Sequence, residues 1–280
     1  MQTFYPENNN LAKHIAYYYF VKSDELSFCT DYFAFPNIYN GLSIYRSADF
    51  NVAGNSLTVH ADYLNHPLTL VQSRYQSPLR VKLYGPVDMV TIVFKPLGVN
   101  HFMTSAYSKI TRQVSQAFDE WRSDEYSHFI ESFFAPNDPQ NRLKLLESFL
   151  LTKLHAFNED NVMEKAIAMI SNLENEMAVG DIAETLNMSL RTLNRLFQKH
   201  VGVSPVTFRK VLRFRQSLKN KLFNDQFKRL TDIGYASNFY DPSYFNRVYK
   251  ELTGSNPTDF FRRIDIQGDN APLFQYLKNG

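Results

Sequence analysis

Two sets of side chains in this 280-residue sequence have the types and spacing needed to read nucleic-acid bases. Arg191, Asn194 and Arg195 form the first set, and Ser243, Asn246 and Arg247 form the second. Spacings of i, i+3 and i+4 gather each set into one patch on a helix. Arginine forks onto guanine O6 and N7, and asparagine pairs with adenine N6 and N7, so both suit a helix lying in a major groove. Ser189, Lys199, Arg213 and Lys250 lie nearby as candidate phosphate contacts, which fix register without reading sequence.

Each set belongs to one copy of a repeated pattern. "LNRLFQKHVGVSPVTFRK" starts at Leu193 and "FNRVYKELTGSNPTDFFRR" at Phe245. Gly202 and Gly254, Pro205 and Pro257, and Phe208 and Phe260 all lie 52 residues apart. Helix signals predict helices near 161–172, 179–186, 189–200, 205–222, 229–236, 241–252 and 257–264. Ser189, Ser204, Asp241 and Asn256 are expected N-caps, and Pro205, Pro242 and Pro257 follow at first helical positions. Asn187 and Asn238 fall in the turns, where asparagine tolerates a left-handed backbone. The repeat therefore reads as two helix-turn-helix units. Leu193, Leu196, Phe197 and Val201 form the buried face in one, and Phe245, Val248, Tyr249 and Leu252 in the other. The intervening helix, 205–222, spans roughly 27 Å at 1.5 Å per residue. It carries Arg209, Lys210, Arg213, Arg215, Lys219 and Lys221.

The rest of the chain differs in character. Residues 1–160 hold 13 Lys and Arg against 16 Asp and Glu, whereas 189–263 hold 15 against 5. A basic block of that size attracts a polyanion. "HIAYYYFVK", "GLSIYRS", "LRVKLYG" and "VDMVTIVFK" read as short strands, which suggest an antiparallel barrel or sandwich over 1–97. The pattern turns helical from Val99. Residues 141–157 carry a stripe of Leu143, Leu146, Leu150, Leu154 and Phe157, suited to capping the barrel or meeting a second copy. The reading is an α+β chain with two domains, 1–158 and 159–266, and a C-terminal tail, 267–280. No signal peptide and no membrane-length apolar run is evident, so the expected location is cytoplasmic. A single cysteine, Cys29, rules out an intrachain disulfide, and the histidine spacing suggests no metal site.

These residues resemble the AraC/XylS family of bacterial transcription regulators over roughly 160–264. The second unit, "DIGYASNFYDPSYFNRVYKELTGSNPTDFFR", matches the family's signature most fully. It departs at Gly234 (usually Ala), Asn238 (usually Gly) and Tyr249 (usually Phe). The resemblance implies double-stranded DNA as partner, with base contacts on Arg191, Asn194, Arg195, Ser243, Asn246 and Arg247. It also implies a cupin-like N-terminal β-barrel with appended helices that takes a small-molecule effector or forms a homodimer. RNA polymerase is a further candidate partner, and activation is the family's common habit. No cofactor and no enzymatic step is expected; alkyl transferases with a similar helical domain need several cysteines. Two alternatives are a sequence-tolerant architectural DNA-binding protein and a scaffold whose basic helices bind an acidic protein.

Overall fold

A computed structural model of the protein describes residues 1–64, 66–223, 229–264 and 274–276. The chain divides into two compact units. The first comprises residues 1–31, 39–73 and 81–160, and the second 32–38, 74–80 and 161–280. Apart from 274–276, the expected tail at 267–280 lies outside the described residues.

The N-terminal region runs β1 (Gln2–Phe4), α1 (Asn9–His14), β2 (Ile15–Ser23), β3 (Cys29–Ala34), β4 (Asn40–Tyr45), β5 (Ala48–Ala53), β6 (Ser56–Ala61), β7 (Leu68–Gln72), β8 (Leu79–Tyr84), β9 (Val87–Phe94), β10 (Ser115–Ala117), α2 (Asp124–Phe134) and α3 (Pro139–Lys153). One antiparallel sheet has the order β1-β2-β9-β4-β7-β10. Its middle strand β9 places Ile92 opposite Tyr18 on one side and Leu42 on the other. Side chains alternate across a strand, so Tyr18 and Phe20, Leu42 and Ile44, and Val90, Ile92 and Phe94 share one core face. β10 pairs with β7, so this sheet continues beyond Val99, where sequence periodicity suggests helix.

α2 and α3 close that core. Ser123 and Asp138 cap them, and Pro139 occupies the first turn of α3. Leu143, Leu146, Phe149 and Leu150 are buried among Phe129, Ile130 and Phe133, each contributing about 1.5–3 kcal/mol by leaving water. The apolar stripe thus caps its own domain, and Leu151 alone of its leucines is more than a third exposed. α3 ends a turn before Phe157 because the His155 N–H donates to the His101 carbonyl, 2.9 Å away, rather than continuing the helix. Glu147 is buried and accepts from the N–H groups of Glu7 and Asn8, which fixes the N-terminal segment.

The second unit contains α4 (Asp160–Ser171), α5 (Val179–Thr185), α6 (Leu190–His200), α7 (Pro205–Phe223), α8 (Leu230–Ala236), α9 (Pro242–Thr253), α10 (Pro257–Arg263) and β11 (Phe274–Tyr276). All seven expected helices are present, each within a residue or so of its predicted bounds. β11 pairs antiparallel with the end of β3, Phe274 opposite Ala34 and Tyr276 opposite Tyr32. None of the described helices is long and apolar enough to cross a membrane.

Candidate nucleic-acid interface

The two helix-turn-helix units, α5–α6 and α8–α9, are built by matched local interactions. Asn187 and Asn238 both take positive φ, 52° and 59°. Behind them the Met188 N–H donates to the Ala183 carbonyl, and the Phe239 N–H donates to Gly234. The Ser189 hydroxyl accepts from the Thr192 N–H, and the Asp241 carboxylate accepts from Ser243 and Tyr244. Gly202 and Gly254 then end α6 and α9 at φ 82° and 74°, the left-handed region glycine enters without a Cβ penalty.

The inner faces are closed. Leu193, Phe197, Tyr249 and Leu252 are fully buried, and Leu196, Phe245 and Val248 nearly so. The departures at Gly234 and Tyr249 are accommodated there. A Cβ on Gly234 would stand 3.7 Å from the Phe245 ring, so the glycine is not forced by space. The Tyr249 hydroxyl lies 2.6 Å from Ser217 Oγ on α7, which gives the extra polar atom a partner. Burial pushes its ionisation well above the ordinary tyrosine range. The third departure, Asn238, donates from its amide to the Leu173 carbonyl.

The outer faces present the predicted residues. Arg191, Arg195, Ser243, Asn246 and Arg247 are exposed, and Asn194 is half-buried. Asn194 Nδ2 donates to Leu190 O and Asn246 Nδ2 to Pro242 O, both at 2.9 Å, so the two asparagines hold the same pose. Bidentate pairing with adenine requires each amide to swing away from its helix, at the cost of one exposed bond worth about 0.5–1.5 kcal/mol. The Arg247 guanidinium lies 5.6 Å from the Tyr244 ring centre. Among the described residues, Arg191, Arg195, Arg247 and Lys250 have no carboxylate within ion-pair distance. Their charge is available to an external anion.

The other named residues divide. Ser189 and Lys250 are exposed beside the outer faces of α6 and α9, and Lys199 is half-buried. Arg213 pairs with Glu176 and keeps 15% of its side chain exposed. Arg209 reaches the same carboxylate, and Lys210 pairs with Glu251. Arg215 donates to the carbonyls of Phe35 and Pro36 at 2.6 and 2.7 Å. Four of the six basic residues on α7 therefore bind within the unit, while Lys219 is exposed and Lys221 half-buried. Composition alone shows a basic helix but not its internal partners, which lie far off in sequence.

A family of helix-turn-helix domains matches residues 182–263. Residues 182–263 are an AraC-type helix-turn-helix domain. The Arabinose operon regulatory protein of Escherichia coli K12 is 29% identical over 126 residues, 42% of this chain and 42% of its own. The activator RhaS of Mannheimia succiniciproducens is 25% identical over 199 residues, 68% of this chain and 69% of its own. The chain spans about half the length of the first relatives it matches, 42% and 55%. ToxT from Vibrio cholerae superposes on 88% of this chain and 97% of its own, at 12% identity and a TM-score of 0.44. Around the AraC-type domain, the described residues hold no cluster of His, Cys, Asp or Glu placed to bind a metal.

Proposed function

We propose that this protein is a sequence-specific, DNA-binding transcription regulator that reads two successive major-groove faces from one side of the duplex. The observation that carries the reading is the pair of outward-facing Asn-Arg heads, whose asparagines hold the same side-chain pose on matching helices of one repeat. α7, with 19 residues, spans about 28 Å at about 1.5 Å per residue. Successive major-groove faces lie about 34 Å apart, so a rigid spacer of this length suits two heads without dimerisation. Arg191, Asn194, Arg195, Ser243, Asn246 and Arg247 are the base-reading residues, and Ser189, Lys199 and Lys250 meet phosphates. Arg213 is better read as a structural residue, because Glu176 holds it.

The protein works in the cytoplasm and is not an enzyme; its relatives are transcription regulators. RNA polymerase is its partner if it activates. The N-terminal unit supplies a place for an effector in a cleft of about 940 Å³ lined by Phe118, Tyr126, Ile130 and Phe134, with Arg46 and Arg122 at hand. The burial of α3's leucines supports its capping role over a role as the dimer face.

The test is the affinity of the full chain for a selected duplex against a shuffled one at fixed salt. A specific regulator gives a ratio on the order of 10³ or more. A ratio near one supports an architectural binder, and no DNA binding at all supports the acidic-protein scaffold.

A further inference from the structure

The core of the second helix-turn-helix is not made from the C-terminal sequence alone. Phe35 is 2% exposed and belongs to the same cluster as Val211, Phe214, Phe239, Phe245, Val248, Tyr249, Leu252 and Phe260. Its ring meets Phe260 edge-on at 4.9 Å. Phe33 and Ile38 pack against the same cluster. Arg215 on α7 clamps the segment by donating to the Phe35 and Pro36 carbonyls, 180 positions apart along the chain for Phe35. A second clamp comes from 74–80, where Arg74 donates to Ile38 O and, at 2.8 Å, to Val201 O at the end of α6. Tyr75 adds a hydroxyl donated to Phe35 O at 3.4 Å. These segments belong to the compact C-terminal unit, although they continue strands β3 and β8.

We propose that Phe35 is a positioning residue of the second reading head. It fills the core beneath α9, so the pose of Ser243, Asn246 and Arg247 depends on a residue encoded near the N-terminus. α6 has its own buried anchor in Leu193, Leu196 and Phe197, together with Phe208, and Phe35 is absent from that set. The two heads therefore differ: Arg74 touches the first only at Val201 and Phe208, and its apolar core holds none of residues 32–38, whereas the second takes Phe35 into its core. Buried rings that close a core fix the position of the elements around them, because interiors are close-packed and leave no slack for an unfilled ring.

This inference rests on the two-headed reading, and the experiment separates the two. In the full chain, Phe35→Ala is compared with wild type by amide hydrogen exchange and by DNA selection. Exchange needs no DNA. It should accelerate at least about tenfold in α9 while α6 stays within about twofold of wild type, a local opening rather than global unfolding. In selection, wild type should enrich two sequence blocks and Phe35→Ala only the block read by α6. A purely structural loss would instead lower affinity for all sequences equally and leave both blocks. Phe35→Leu, which keeps most of the volume, should restore the second block in part. Equal exchange changes in α6 and α9, or two intact blocks with Phe35→Ala, would overturn the proposal. If wild type itself enriches nothing, the regulator reading fails while the exchange data still decide the role of Phe35. If Phe35→Ala unfolds outright, Phe35→Leu decides it by the same α9-to-α6 ratio.

Discussion

Two arginines 18 positions apart offer a direct contrast. Arg195 lies exposed on α6 with no carboxylate in reach among the described residues, and Arg213 is held by Glu176 on α7. Arg195→Ala removes no folded-state contact of consequence, so its effect on stability should stay within about 0.5 kcal/mol. Its loss from a base pair should cost about 1–3 kcal/mol, or about 5- to 150-fold in affinity, confined to particular base pairs. Arg213→Ala strips Glu176 of one of its two cations. Losing the sole partner of a buried charge costs about 3–5 kcal/mol, but Glu176 keeps Arg209 and is 20% exposed, so about 1–2 kcal/mol is expected. The assays are urea denaturation and fluorescence anisotropy with the selected duplex and its single-base variants. Arg213→Ala should unfold earlier and bind DNA within about twofold of wild type once folded. Weaker binding of Arg195→Ala to all sequences alike, or weaker DNA binding by Arg213→Ala with its stability intact, would overturn these assignments.

Other expectations follow from the turns and the ionisable groups. Gly234→Ala should be neutral or stabilising by up to about 1 kcal/mol in thermal melts, since a helical glycine is unfavourable and the new Cβ would make only ordinary contact with the Phe245 ring. Gly254→Ala should destabilise by about 1 kcal/mol in the same melts, because its φ of 74° disfavours a side chain. Asn238→Ala loses both left-handed tolerance and the bond to Leu173 O, and should cost about 1–3 kcal/mol by denaturant titration. In the N-terminal unit, burial and then the charges of His101, Lys13 and Lys95 lower the His14 pKa to about 4, with the His101 ring centred 3.8 Å away. The neutral form is favoured in the folded chain, so its stabilising contribution is full above pH 6.5 and is lost as pH falls towards 4. His14→Gln should flatten that slope in denaturation curves taken between pH 7 and 4.

The helical half was legible because its signals are local. A cap such as Ser189, a turn asparagine such as Asn187 and a Gly-Pro pair after a helix each report the backbone within a few residues. The outer faces followed from the same periodicity: once Phe245, Val248 and Tyr249 point inward, Ser243, Asn246 and Arg247 point out. What sequence could not show was long-range. Nothing near Phe35 says that its ring enters a core 180 positions away, and nothing in "FRKVLRFRQ" says that Arg213 meets Glu176 while Arg215 meets a carbonyl. Charge pattern therefore overstated how much of α7 is free for DNA. The strand at 115–117 was missed for a related reason: its three residues carry no period of their own and pair only because β7 lies alongside.

In the proposed function, one chain carries two reading heads on a fixed spacer. Selection from a random duplex pool by the full chain, repeated with Arg195→Ala and with Arg247→Ala, tests it most directly. Two short blocks about one helical turn, 34 Å, apart are expected, with each substitution relaxing one block and leaving the other. A single block relaxed by both substitutions, or binding without any enriched sequence, would contradict it.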